Sequence, residues 1–228
     1  MTVEDIQPAS TRAERHEQTL AKILATAMET VVTRGFSSLS MNKLAAEVGF
    51  TPGALYRYFT GKDALLAALV SDVVGDVGQR IEAAISGCDA DDDPVAALTR
   101  AAWSYRDYAR EHPHRFGLIA AVLATPRLVI EDETQARGSI AVTLGALAPI
   151  GRCFQRAAEL GQLSVGDPRE RTLLFFAGLH GVLSLRKQAE RAPDQLDLEQ
   201  LYGAMLATLF AGFGHTPSPR ETARRRPR

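Results

Sequence analysis

Two tyrosines, an arginine and a lysine lie close together in the first third of the chain, at Tyr56, Arg57, Tyr58 and Lys62. Phenol, guanidinium and ammonium groups all donate hydrogen bonds, and the last two also carry positive charge. Phosphate is the expected ligand of such a group, and residues of these types make most contacts to nucleic-acid phosphates. Arginine can also bind guanine with two parallel hydrogen bonds. The chemistry indicated is recognition of a phosphate-bearing polymer.

The surrounding residues predict two short helices joined by a tight turn. Ser40 is placed to cap the first helix, and Gly49 to end it with a left-handed backbone. Thr51 caps the second helix, and Pro52 takes its first position, where a missing N–H is harmless. Two short helices with a glycine in the turn are the sequence form of a helix-turn-helix. The alternative is a helical hairpin with ordinary surface tyrosines.

The second helix begins with a turn that is nearly free of side chains, formed by Pro52, Gly53 and Ala54. Such a turn lets the backbone approach another surface closely, and helix N-termini attract anions. Leu55 and Phe59 are four residues apart, so they share a face that anchors this helix inward.

This region resembles the DNA-binding domain of the TetR family of bacterial transcriptional regulators. The matching features are an amphipathic first helix from Ile23, Gly35-Phe36, the segment Leu-Ala-Ala-Glu-Val-Gly at 44–49, and above all 53–59 followed by Lys62. The resemblance implies a recognition helix at 51–58. It also implies DNA-binding roles for Ser40, Met41, Thr51, Pro52, Gly53, Ala54, Tyr56, Arg57, Tyr58 and Lys62.

Two of these residues depart from the family pattern. Tyr58 stands where the family most often has histidine, and Met41 stands where a small hydroxyl residue often contacts DNA. A tyrosine still donates to phosphate, whereas a methionine cannot.

The composition is that of a globular protein with a substantial core. Of 228 residues, 46% are hydrophobic and 23% are charged, and the formal net charge is −1. DNA binding must therefore come from a local patch and from dimer geometry. The chain has only two cysteines, a polar N-terminus and no membrane-length apolar run, so the sequence predicts a cytoplasmic protein.

Apolar periodicity predicts an all-α fold of about nine helices. We expect a flexible arm at 1–14, a helix-turn-helix domain at 15–62, a ligand-binding and dimerisation domain at 63–214, and a disordered arginine-rich tail at 215–228. A long helix joins the two domains almost without a linker. Arg12 and Arg15 either enter a DNA minor groove or belong to a solvated arm.

Aromatic residues of the second domain form the candidate effector pocket. The alternative is that they are plain core packing. The C-terminal domain also resembles a TetR subgroup marked by Trp-His-Gly, of which Leu179-His180-Gly181 keeps the last two residues. The candidate ligand-binding residues are Trp103, Tyr105, Tyr108, Phe116, Phe154, Phe176 and His180.

The last two predicted helices carry more apolar surface than one core requires, which points to a partner helix pair. The TetR family uses its last two helices as a symmetric four-helix dimer interface. The expected interface residues are Phe175, Leu179, Val182, Leu183, Tyr202, Leu206 and Phe210.

No residue pattern indicates an enzyme, a metal site or a cofactor. The aspartates at 89–93 lack the spacing of a calcium loop and are better explained as a solvated acidic loop. The resemblance to the TetR family implies a dimeric repressor that binds a near-palindromic DNA operator and is released by a small apolar or aromatic effector. The alternative is a helical dimer that interacts only with protein.

Overall fold

The computed structural model describes residues 11–86, 93–124 and 129–215, and within these ranges it contains helices but no strand. The expected all-α class is confirmed. A 3-10 turn occupies Phe36–Ser38. The α-helices are α1 (Arg12–Arg34), α2 (Met41–Val48), α3 (Pro52–Leu55), α4 (Lys62–Ser86), α5 (Pro94–Glu111), α6 (Pro113–Ala124), α7 (Glu133–Glu159), α8 (Pro168–Ser184), α9 (Arg186–Arg191) and α10 (Leu198–Gly212).

Three predictions fall wholly or mainly outside the described ranges. They concern the first ten residues of the arm, the acidic loop with Cys88, and the arginine-rich tail from residue 216.

The described residues divide into two compact units. Unit one comprises those of Met1–Val70 and Gly117–Ser139, and unit two those of Ser71–Phe116 and Ile140–Arg228. The division falls inside α4, so this helix begins in unit one and ends in unit two.

The first helix begins at Arg12, three residues before the predicted start at Arg15. Its N-cap is Thr11, whose hydroxyl accepts a hydrogen bond from the Glu14 backbone N–H, while the Glu14 carboxylate accepts one from the Thr11 N–H. This reciprocal capping box fixes the first turn. The expectation that residues 11–14 belong to a flexible arm is therefore wrong.

The core of unit one lies between α1, α2 and α3. Apolar side chains on one face of each helix meet there, as the periodicity predicts, and they include Ile23, Ala27, Val31, Leu44, Val48, Leu55 and Phe59. Asp63, in the first turn of α4, accepts hydrogen bonds from the backbone N–H groups of Glu131 and Asp132 at 2.9 and 2.7 Å. The start of α4 is thereby tied to the segment before α7.

Unit two is built from the later part of α4, α5, the start of α6, most of α7, and α8 to α10. α8 begins with Asp167 as N-cap and Pro168 at its first position, an arrangement typical of helix starts. α7 continues through Pro149, which lies inside the helix. α9 was not predicted from the sequence; it follows α8 after a single turn residue, Leu185.

Candidate functional site

The helix-turn-helix of unit one has the caps that its sequence predicts. The Ser40 hydroxyl accepts a hydrogen bond from the Lys43 N–H at 3.3 Å, and the Thr51 hydroxyl accepts one from the Ala54 N–H at 3.3 Å. Gly49 ends α2 in the left-handed region at φ 81° and ψ 29°. These two hydrogen bonds and the left-handed Gly49 define the ends of α2 and the start of α3.

The predicted recognition helix is shorter as a regular helix than the resemblance implies. Regular α-helix covers only Pro52–Leu55, and a turn follows it. In this turn the Tyr58 N–H donates to the Leu55 carbonyl at 2.9 Å, and the Phe59 N–H donates to the same carbonyl at 3.1 Å. Residues 56–58 therefore continue the helical path in a tighter turn.

Tyr56 and Arg57 project from this turn into solvent. Tyr56 is 49% exposed, and Arg57 and Gly53 are also exposed. A Cβ atom built on Gly53 would meet nothing within 4 Å, so no contact inside the chain requires a glycine there. The fold does not explain why residue 53 has no side chain. A glycine at this exposed site would allow another molecule to approach the backbone closely.

The ring of Tyr58 is held by two aromatic neighbours. His16 of α1 stacks on it with ring centroids 4.9 Å apart, and Phe50 lies beside it at 6.2 Å. Tyr58 is accordingly half-buried, in contrast to Tyr56. Its hydroxyl is thus presented from a fixed ring. The stack with His16 could not be found from sequence spacing, because His16 belongs to a different helix.

Lys62 and Met41 lie in more constrained positions than the other predicted DNA-binding residues. The Lys62 ammonium donates to the Phe36 carbonyl at 2.9 Å, which leaves two of its three donors for other partners. Met41 is only 7% exposed, with its side chain in the core of unit one. The prediction that Met41 contacts DNA is wrong, because its thioether fills a core position. Ser40, Thr51, Pro52 and Ala54 are exposed or half-buried.

Four of the seven candidate effector residues meet in unit two. Tyr105 of α5, Phe116 of α6, and Phe176 and His180 of α8 form a contiguous group that we call the aromatic cluster. The His180 ring stacks on Phe116 at 4.8 Å and on Phe176 at 5.8 Å, and Tyr105 approaches Phe116 and Phe176 at 6.2 and 5.7 Å.

A buried hydrogen bond joins two members of the aromatic cluster. Tyr105 Oη and His180 Nδ1 are 2.9 Å apart, and both side chains are buried. Burial lowers the pKa of His180 from 6.5 to about 4, so its imidazole is neutral at pH 7. Burial also raises the pKa of the Tyr105 phenol, which keeps its proton. Within the described residues the other ring nitrogen, Nε2 of His180, has no hydrogen-bond partner.

The other three candidate effector residues lie elsewhere in unit two. Phe154 packs edge-on against Phe175 and Phe213 in the core, and it is 1% exposed. Trp103 packs against Tyr202 and beneath the guanidinium of Arg106. Tyr108 accepts a hydrogen bond from Arg115 Nε at 3.0 Å. The structure therefore separates the predicted pocket residues into one cluster and three other packing positions.

Most of the predicted dimer-interface residues lie in the core of unit two. Six of the seven are buried within the single chain, at 0–6% exposure, and Val182 is half-buried. They fill the core of unit two, so they are not available to a partner. Those six are Phe175, Leu179, Leu183, Tyr202, Leu206 and Phe210.

The opposite faces of α8 and α10 are apolar or small, and exposed. Leu173 and Leu174 of α8 are 52% and 48% exposed. Ala177, Gly181, Ala204, Thr208 and Ala211 are exposed as well. The two glycines of α8 play different parts: Gly178 lies against Met205 and Leu209 of α10 within the chain, whereas a Cβ on Gly181 would meet nothing within 4 Å. We call these exposed positions of α8 and α10 the outer face.

No metal-ligand set occurs in the described ranges, where no three His, Cys, Asp or Glu side chains are grouped to hold an ion. None of the described helices has the length and apolarity needed to cross a bilayer.

Two protein-family models match the chain. The model for bacterial regulatory proteins of the tetR family matches residues 23–69, and the model for the tetracyclin repressor-like C-terminal domain matches residues 98–209. The predicted subgroup with Trp-His-Gly is not tested by these matches and stays a prediction.

Curated relatives match about half of the chain. An HTH-type transcriptional regulator of Mycobacterium tuberculosis is 31% identical over 110 residues, which is 47% of this chain and 46% of the regulator. The regulator BetI of Brucella suis is 28% identical over 90 residues, which is 40% of this chain and 46% of BetI. The matched part thus spans less than half the length of these relatives.

Solved structures share the fold over most of the chain. AibR, determined with isovaleryl coenzyme A and operator DNA, superposes with a TM-score of 0.66 at 20% identity, covering 84% of this chain and 98% of AibR. FadR from Bacillus subtilis, determined with stearoyl-CoA, superposes with a TM-score of 0.64 at 18% identity, covering 84% of this chain and 98% of FadR. At this level of identity the likeness establishes the fold alone.

Proposed function

Because the chain belongs to the TetR family of bacterial regulatory proteins, we propose that it is a dimeric, sequence-specific DNA-binding regulator whose affinity for DNA is controlled by a small-molecule effector. In the form we favour, it represses transcription and leaves its operator when the effector binds.

The observation that carries this proposal is the group formed by Gly53, Tyr56, Arg57 and Tyr58. It combines an exposed turn that nothing in the chain requires to be small, two exposed polar side chains and one ring held in place. An ordinary surface hairpin needs none of these features. They are the features by which a helix-turn-helix enters the major groove of DNA.

The members of this group have different roles in the proposed complex. Tyr56, Tyr58 and the two free donors of Lys62 bind phosphate oxygens, which fixes the register of the protein on DNA. Arg57 is the side chain that can read guanine with two hydrogen bonds. Ser40 borders this surface. Thr51, Pro52, Gly53 and Ala54 lie nearest the base edges, where small side chains permit close approach.

A second copy of the chain completes the proposed DNA reader through the outer face. Leu173, Leu174 and Ala177 supply apolar area, and Gly181 with the small residues of α10 lets the partner's helices come close. A two-fold dimer of this kind places two helix-turn-helix elements on a near-palindromic operator.

The aromatic cluster is the proposed effector site. A neutral His180 with one unused ring nitrogen, among the rings of Tyr105, Phe116 and Phe176, suits an apolar or aromatic molecule that carries one hydrogen-bonding group. α4 runs from Lys62 into unit two, so it is the proposed route from effector to DNA. An effector that binds the released conformation more tightly lowers DNA affinity by that difference.

Binding to DNA fragments that flank its own gene tests the proposal. We expect one fragment to bind far more tightly than unrelated DNA. The logarithm of affinity should fall linearly with the logarithm of salt concentration, by about 0.9 for each phosphate contacted. If no fragment binds at low salt, the chain acts instead as a helical dimer that interacts only with protein.

A further inference from the structure

A small cleft on unit two is lined by three guanidinium groups and one carboxylate above an apolar floor. We call it the arginine cleft. It encloses about 20 Å³, and α5, α6, α8, α9 and α10 contribute to its walls. The lining residues used below are Arg106, Arg110, Arg186, Glu199, Phe116 and Tyr202.

The carboxylate of Glu199 occupies the charged end of the cleft. Arg106 Nη1 donates to both of its oxygens at 2.6 Å, and Arg110 lies 3.7 Å from the same group. Arg106 is held on two further sides, by Asp107 at 2.9 Å and by the Trp103 ring at 4.7 Å. The Arg106 guanidinium is therefore a fixed anion-binding group, and the Glu199 carboxylate of the same chain occupies it.

Glu199 is the mobile partner in this pair. Its side chain is 54% exposed, whereas that of Arg106 is 18% exposed. It stands in the first turn of α10. An exposed ion pair of this kind holds its partner only weakly. A stronger or better-placed anion can therefore displace the Glu199 carboxylate while Arg106 stays in position.

The size of the cleft makes this exchange necessary. A volume of about 20 Å³ holds little more than one water molecule. A carboxylate or phosphate group can enter only where the Glu199 carboxylate now lies. Once it leaves, three guanidinium groups face the space without an acidic residue among the lining, and guanidinium binds carboxylate and phosphate with paired hydrogen bonds.

The apolar floor connects the arginine cleft with the aromatic cluster. Phe116 lines the cleft, and its ring also stacks on His180 at 4.8 Å. A molecule with a charged head at Arg106 and an apolar body would thus lie against Phe116. Rotation of the Phe116 ring would open a path for the apolar part of the molecule toward His180.

We propose that the arginine cleft binds the carboxylate or phosphate head of an amphipathic effector in exchange for the Glu199 carboxylate. The inference rests on the proposed function and deepens it by naming the chemical class of the effector.

The chain's only tryptophan, Trp103, gives a direct readout, because Arg106 lies over its ring. Decanoate and decyl phosphate, below their critical micelle concentrations, and uncharged 1-decanol, below its solubility limit, are titrated into the full chain without DNA. We expect saturable changes in Trp103 fluorescence with one or both anions and at least tenfold weaker binding of decanol. Decanoate and decyl phosphate distinguish a carboxylate head from a phosphate head.

Variants test the exchange itself. Glu199→Gln should tighten anion binding about fivefold, since it removes the internal competitor. Arg110→Gln and Arg186→Gln should weaken anion binding. The affinity for decanol should be the same in Glu199→Gln, Arg110→Gln and Arg186→Gln as in wild type. Arg152→Gln, an exposed arginine paired with Glu82 elsewhere in unit two, is the matched control.

Three results would overturn the proposal: no saturable response to either anion, equal affinity for decanol, or weaker anion binding in Glu199→Gln. Because DNA is absent from the titration, these results are independent of whether the chain binds an operator. If the wild-type chain binds these anions but no DNA, that result would count against the proposed function alone.

Discussion

The imidazole ring of His16 lies nearly parallel to the ring of Tyr58, with 4.9 Å between the ring centroids and 14° between the ring planes. His16 belongs to the second turn of α1, and Tyr58 ends the turn after α3. His16, which lies outside the helix-turn-helix motif, therefore fixes the ring of Tyr58, a residue proposed to bind DNA phosphate. The N-terminal extension of α1 to Arg12 places His16 within a capped helix, which limits the freedom of its ring.

His16→Ala should weaken binding to all DNA sequences alike by about 0.5–1.5 kcal/mol, the range measured for aromatic pairs. The stack orients Tyr58, and a phosphate contact carries no sequence information. Fluorescence anisotropy with operator and with unrelated DNA measures both affinities. His16→Phe keeps the stack and should bind like wild type, and Gln18→Ala controls for a change on the same exposed part of α1. Equal losses in His16→Phe and His16→Ala would show that the stack is irrelevant.

Arg57→Ala should relax sequence preference at one or two base pairs by about 1–3 kcal/mol, because a bidentate contact to guanine is lost. Unrelated DNA should lose much less affinity than the operator. Competition binding with a set of single-base operator variants measures the effect at each position. Lys187→Ala removes one exposed positive charge from α9 and should change neither preference nor affinity. An unchanged preference profile in Arg57→Ala would place the base-reading residue elsewhere.

Leu173→Glu should convert the dimer into monomers, since it puts a charge on the outer face of α8, where Leu173 is 52% exposed. Sedimentation velocity measures the oligomeric state. Leu144→Glu changes an equally exposed leucine of α7, at 53%, and should leave the dimer intact. If Leu144→Glu alone dissociates the dimer, then α7 forms the interface.

The local structure of unit one was largely predictable from sequence, because capping is a short-range interaction. Ser40, Gly49, Thr51 and Pro52 each act where their residue types indicate. The start of α1 could be predicted in the same way. Thr11 and Glu14 have the spacing of a capping box, a signal that the prediction overlooked.

The orientation of α8 could not be obtained in the same way. Its sequence is apolar around nearly the whole helix, so periodicity does not say which face is buried in the chain. Residues 175, 179 and 183 face the core, while 173, 174 and 177 face outward. That choice depends on α10, which packs against Gly178 and leaves the other side uncovered. The meeting of Tyr105 with His180 likewise joins residues 75 positions apart, a relationship that local patterns do not contain.

The pH dependence of stability should carry a signature of His180. Its pKa is about 4 in the folded chain and about 6.5 when unfolded, so between these values the unfolded chain binds a proton that the folded chain does not. The free energy of unfolding should therefore be undiminished by this group above pH 6.5. It should fall by about 1.4 kcal/mol for each pH unit from there towards pH 4. Urea unfolding of wild type and His180→Gln over this range measures the difference. Parallel pH profiles would mean that the imidazole is not held neutral by the fold.

Arg115 should contribute more to stability than an exposed arginine. It donates from Nε to the Tyr108 hydroxyl at 3.0 Å, and it pairs with Asp72 and Asp76 of α4 at 2.9 and 2.8 Å, while its side chain is 23% exposed. One guanidinium thus holds α4, α5 and α6 together within unit two.

Arg115→Gln leaves two carboxylates one helical turn apart without their shared cation. We expect it to reduce the free energy of unfolding by about 2 kcal/mol, less than for a fully buried pair because water reaches this site. Arg137→Gln breaks an ion pair with Glu133 in which both side chains are more than three-quarters exposed, and it should change stability by less than about 0.5 kcal/mol. Arg115→Lys should recover only part of the loss, because an ammonium group lacks the planar geometry that serves three partners at once. Chemical denaturation measures the free energy of unfolding of all three variants, which are compared where the m-value is unchanged. Equal effects of the Arg115→Gln and Arg137→Gln substitutions would mean that the shared guanidinium does not link the three helices.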